Sequence, residues 1–132
     1  MKFNRDLMTR YVEALESGAY LQGHGQLCRV DPATGHYTYD PLGLLEQVRG
    51  VHAPRRGGWM VAFGDQIFAA NPDTIEDLFP DAPDHWIQNG TFMIDTEYGM
   101  ESVDRLSYTH TFRHLADLLR SRFLSKVEVP AC

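Results

Sequence analysis

Apolar residues recur at helical spacing near both ends of the chain and alternate in short runs between them. Phe3, Leu7, Tyr11, Ala14 and Leu15 mark one face of a first helix. Asn4 is a suitable N-cap, Asp6 suits the positive helix end, Phe3 can staple onto Met8, and Gly18 supplies the stop. Phe112, Leu115, Ala116, Leu119 and Phe123 form one stripe on a last helix beginning after Thr111, with Arg120, Arg122 and Lys126 near its negative end. Each amphipathic helix needs a covering partner.

Between them, Gly23 and Gly25 make residues 20–27 a bent loop or irregular strand. Residues 27–30 and 36–39 read as strands around the turn-forming Asp31-Pro32-Ala33-Thr34-Gly35. Asp40 and Pro41 open a short helix that buries Leu42, Leu44, Leu45 and Val48 and stops at Gly50. Gly43 inside it costs up to about 1 kcal/mol relative to alanine, which points to a close backbone approach. Residues 52–58 read as a loop. Residues 59–63 and 66–70 read as a hairpin around Gly64-Asp65, with Trp59, Val61 and Phe63 on one face. Residues 72–79 and 82–89 read as short helices, the second capped by Asp81, and 91–94 as a strand. The sum is an α+β domain over residues 1–126, with a loose tail at 127–132. A small antiparallel sheet of two hairpins packs against the N- and C-terminal helices around Leu15, Trp59, Phe63, Leu115 and Leu119.

Composition narrows the class. The chain has 132 residues, 43% hydrophobic and 23% charged, as in ordinary globular domains, so disorder, collagen and coiled coil are excluded as the main state. Apolar runs are too short to cross a bilayer, and the charged N-terminus is not a signal peptide. Twelve Lys+Arg against eighteen Asp+Glu leave a net charge of −6. Nucleic-acid binding would require a strongly one-sided placement of the basic residues. Asp73, Glu76 and Asp77 form the densest acidic cluster and read as a solvated helix face. Cys28 and Cys132 lack zinc spacing, and reduced thiols are the simpler reading.

Residues 13–27, Glu13-Ala14-Leu15-Glu16-Ser17-Gly18-Ala19-Tyr20-Leu21-Gln22-Gly23-His24-Gly25-Gln26-Leu27, resemble the "EALxSGxYxQGxGxL" opening of a family of small bacteriophage and prophage proteins. Tyr39-Asp40-Pro41-Leu42-Gly43-Leu44-Leu45 corresponds to that family's "YCCLGVLC" but lacks both cysteines. Residues 84–88 resemble its "VxxWLGL", and residues 106–119 its C-terminal "LNDxGxTFxEIADLIE", with Ser107-Tyr108-Thr109-His110 in place of the Asn-Asp-x-Gly turn. The resemblance spans most of residues 11–124. It implies a phage-type accessory protein acting in the bacterial host cytoplasm. It carries no enzyme assignment, and the missing cysteine pair argues against a metal or redox role.

Candidate chemistry is sparse. His110 and His114 have i, i+4 spacing, but His110 precedes the expected cap and no HExxH follows. Cys28 beside Arg29 reads as a small buried hydrophobe. No cofactor, metal or catalytic motif is present. Arg55-Arg56-Gly57-Gly58 offers two guanidiniums and glycine amides to an anion or partner. Tyr20, Gln22 and His24 offer an aromatic face, an amide and an imidazole as a pocket wall. Both segments also read as plain connections. The leading function is a non-catalytic inhibitor of a host defence protein, working through exposed aromatics and arginines. The alternatives are a homo-oligomeric sponge for a nucleotide-like signal, or a small hydrolase with His24 or His114 as base.

Overall fold

The computed structural model describes residues 1–124, so the expected tail at 127–132, Lys126 and Cys132 lie outside the described residues. The first helix, α1 (Arg5–Glu16), begins where Asn4 Oδ1 accepts the Leu7 N–H at 3.1 Å. Its apolar face buries Leu7, Met8, Tyr11, Val12 and Leu15. The last helix, α6 (Phe112–Leu119), starts where the Thr111 hydroxyl accepts the His114 N–H at 3.2 Å, and it buries Phe112, Leu115, Ala116 and Leu119. It continues as a wider π turn over Arg120–Leu124. The two helices cover each other's stripes. Phe123 meets Phe3 edge-on at 5.3 Å, and Arg120 pairs with Glu16 at 2.5 Å.

A five-stranded sheet lies beside this helix pair. Its strands are β1 (Leu21–Gln22), β2 (Cys28–Val30), β3 (Tyr37–Tyr39), β4 (Pro54–Gly57) and β5 (Met60–Phe63), in the order β1-β3-β2-β5-β4. The fold is α+β, but the sheet is mixed rather than antiparallel throughout, because β1 runs parallel to β3. Gly23 permits this: a Cβ there would lie 2.7 Å from Thr38 Oγ1, and its N–H bonds the Tyr39 carbonyl at 2.7 Å. The hairpin expected around Gly64-Asp65 is displaced. β5 pairs with β4 across Gly58 and Trp59, whereas residues 66–70 contribute one isolated bridge, Gln66 to Phe63. The expected loop at 52–58 is therefore an edge strand in part, and all four β4 residues are exposed. Trp59 leaves the expected core. It sits at the turn, 49% exposed, with the Arg29 guanidinium 5.1 Å above its ring.

Asp40 caps α2 (Pro41–Arg49) by accepting the Gly43 N–H at 2.7 Å, and the Tyr11 hydroxyl donates to the Pro41 carbonyl. Gly43 rests on β2. A Cβ there would overlap the Leu27 carbonyl outright, so the close approach expected of this glycine is present. Glu46 of the same helix is fully buried. Its Oε2 accepts the Asn71 N–H at 2.7 Å and Asn71 Nδ2 at 3.0 Å, and its Oε1 accepts the Thr74 hydroxyl at 2.9 Å. Asn71 Nδ2 also donates to the Phe63 carbonyl at 2.9 Å, so one carboxylate ties α2 to the end of β5 and to α3 (Pro72–Leu78). The acidic face of α3 is not merely solvated: Arg49 bridges Asp73 at 3.1 Å and Asp77 at 2.8 Å.

Next comes α4 (Asp84–Asn89), which starts two residues later than expected; the Asp81 carboxylate accepts the Lys2 N–H at 3.1 Å instead of capping it. β6 (Met93–Thr96) and β7 (Gly99–Ser102) form a separate antiparallel hairpin, followed by α5 (Val103–Leu106). The expected strand at 91–94 thus begins two residues late. Among the described residues, no helix is long and apolar enough to cross a membrane.

Burial pushes the Asp40 carboxyl up to about 7, and the nearby Asp104 carboxylate adds to the effect against the opposing Gly43 and Leu42 N–H bonds. The unfolded chain releases this proton near the ordinary value of 3.8. Between those values the folded state binds more protons than the unfolded one, so stability falls as pH rises through that window. Asp40→Asn keeps a capping oxygen and removes the buried charge. It is expected to flatten this slope and to raise stability at pH 8 by about 1–3 kcal/mol, read from urea midpoints at pH 5 and pH 8.

Candidate functional site

A cleft of about 940 Å³ lies between the β6–β7 hairpin, the turn joining α5 to α6, and the end of α6. That volume lies at the upper end of typical ligand sites. Leu106 and Leu118 contribute apolar surface, and Tyr98 and Tyr108 line it further. Both tyrosines are strongly solvent-exposed, at 88% and 65%. The charged groups are Arg105, Arg122, Glu97 and Glu101, and none of the four has an ion-pair partner among the described residues. Arg122 Nε instead donates to the Asp95 carbonyl at 2.9 Å, which fixes this side chain against the outer edge of β6.

The 107–111 turn is held by a residue far away in sequence. Gln22 Nε2 donates to the Ser107 carbonyl at 3.0 Å and the His110 carbonyl at 2.9 Å, while its Oε1 accepts the Phe112 N–H at 2.8 Å. His24 stacks on Tyr108 with ring centroids 4.8 Å apart and planes 21° apart. Two residues expected in a pocket wall thus support the cleft's rim: Gln22 spends its whole amide on the backbone, and His24 braces one aromatic wall. Tyr20 lies elsewhere. It meets Tyr39 edge-on at 5.6 Å and lines a shallower hollow of about 400 Å³ with Tyr37 and His36.

Arg55, Arg56, Gly57 and Gly58 belong to the opposite side of the sheet. β1 and β4 are its two edges, four strand spacings apart, or roughly 19 Å. The segment at 20–24 and the segment at 55–58 therefore do not form one site. Arg55 donates to the Gly64 carbonyl at 3.1 Å and Arg56 Nε to the Gly58 carbonyl at 2.7 Å.

Other candidate groups are held in structural contacts. Ser107 Oγ lies 3.3 Å from His24 Nδ1, but it is buried and donates its proton to the Asp104 carbonyl at 2.6 Å. Cys28 is fully buried; burial, helped by the Asp40 charge, pushes its thiol up to about 12 and keeps it protonated. The His110 and His114 rings stand 6.4 Å apart at 89°, and His110 Nδ1 lies 2.9 Å from the Thr109 hydroxyl. Among the described residues, no group of three or more His, Cys, Asp or Glu side chains is arranged to hold a metal ion.

Tyr98, Tyr108, Arg105 and Arg122 do not stand out in the sequence. They come from three segments, the β6–β7 turn, the end of α5 and the π turn, and no short spacing joins all four. Compared with protein-family models, curated proteins and solved structures, the chain matches none.

Proposed function

We propose that the chain is a phage-type binding protein that inhibits a host bacterial protein by seating part of it in the hairpin cleft. The observation that carries this reading is the pairing of two exposed tyrosines, Tyr98 and Tyr108, with Arg105 and Arg122 around one concave surface. Tyrosine and arginine are the residue types that dominate binding energy at protein interfaces. The acidic chain and the sequence resemblance support a host protein as the target.

The test is capture from bacterial lysate by the wild-type protein and by a Tyr98→Ser/Tyr108→Ser variant. A host protein is expected to be retained by the wild type, weakened at least about tenfold by the variant, and inhibited when the purified chain is added. Equal retention by both proteins would overturn the cleft as the contact. A nucleotide released on denaturing the wild type, detected as a fixed extra mass, would favour the sponge instead.

A further inference from the structure

The β6–β7 hairpin is not joined to the five-stranded sheet, so it has two outer edges. Its register determines what each edge presents. The Phe92 carbonyl accepts the Val103 N–H at 3.0 Å, and in an antiparallel ladder hydrogen-bonded pairs alternate with non-bonded ones. Met93 opposite Ser102 and Asp95 opposite Met100 are therefore the non-bonded pairs, and their N–H and C=O groups turn outward. On the β6 side, Arg122 occupies the Asp95 carbonyl. On the β7 side, the Met100 main-chain groups and the Ser102 N–H have no partner among the described residues.

Side chains alternate across the hairpin, so Thr96 and Glu101 share the face of buried Ile94, while Asp95 and Met100 share the other. Thr96 and Glu101 line the cleft. A strand laid along β7 would direct every second side chain toward that cleft. The charges there select its chemistry. A phosphate-rich ligand would meet Glu97 and Glu101 as well as the two arginines. An extended peptide with alternating charged and apolar residues satisfies both signs and covers Leu106 and Leu118.

We propose that β7 accepts an extended segment of the partner protein as a third strand, with Met100 supplying main-chain hydrogen bonds and the cleft receiving alternate side chains. This rests on the binding-protein reading and names the element that the cleft grips.

The experiment pans short random peptides on the wild-type protein and uses the enriched peptides as probes. Bound peptide is expected to slow hydrogen exchange at the Met100 and Ser102 amides. Met100→Pro removes an outward N–H while leaving the β6–β7 ladder, and it is expected to weaken peptide binding at least about tenfold. Met100→Ala keeps the N–H and is expected to bind within about threefold of wild type. Strand addition is overturned if Met100→Pro binds like wild type, or if Met100→Ala loses as much as Met100→Pro, which makes the contact a side-chain one. It is also overturned by a library with no binder, or by bound peptides that leave both amides exchanging freely. Should Met100→Pro fail to fold, amide exchange in the wild type decides. Capture of a host protein that depends on Tyr98 and Tyr108 survives all of these failures, so the two readings fall separately.

Discussion

Replacing Gly43 with alanine should destabilise the protein by at least about 4 kcal/mol, and the variant should melt roughly 12 °C lower or fail to purify folded. The magnitude follows from what the new methyl group meets. It would overlap the Leu27 carbonyl, which is main chain leading directly into β2 and already accepts the Asp40 N–H at 3.1 Å. A flexible side chain could swing aside, whereas this carbonyl cannot move without breaking that bond or shifting the sheet. In an ordinary exposed helix position the same change would stabilise by up to about 1 kcal/mol, so the sign itself tests the contact. Thermal unfolding of Gly43→Ala beside a Gly50→Ala control separates overlap from backbone conformation: Gly50 has φ 72° and no contact closer than 4.0 Å.

Glu46→Ala should cost about 3–5 kcal/mol. The carboxylate is wholly buried and accepts from three donors, and deletion leaves two Asn71 groups and the Thr74 hydroxyl without that acceptor. Glu46→Gln keeps one carbonyl oxygen for Asn71 and turns an amide toward Thr74, whose oxygen can accept. It should cost about 1–2 kcal/mol. Chemical denaturation of both variants checks the ranking. Equal losses would mean that the charge, rather than acceptor count, holds α2 to α3.

Helix ends are readable from the chain because caps are local chemistry. Asn4, Asp40 and Thr111 each accept the expected N–H. The approach at Gly43 is readable because a glycine among leucines weakens a helix, a cost that close contact with another backbone offsets. The sheet edges are not readable. β4 buries no residue, so Arg55-Arg56-Gly57 shows no alternation, and its Gly57-Gly58 end hides the true turn. The direction of β1 is hidden too, since side-chain alternation is the same for parallel and antiparallel neighbours. Nothing local marks Glu46 as buried, because its partners Asn71 and Thr74 lie 25 and 28 residues further along. Gln22 stands out for the right property, an amide with two kinds of hydrogen-bonding group, but that capacity is used within the fold. The cleft needs residues from 96 to 122 gathered by a turn that Gln22 ties down, and no short window of sequence contains them.

The packing of α1 against α6 also constrains how the chain can be made. The Glu16–Arg120 pair joins residues 104 apart, and the apolar face of α1, which packs on both α2 and α6, is fully covered only when α6 arrives. During synthesis that face waits, incompletely covered, for roughly 5–20 s at ordinary elongation rates. The nascent chain is therefore a natural client for a ribosome-associated chaperone. Its yield in cells should depend more on that protection, and on elongation speed, than on the stability of the finished fold.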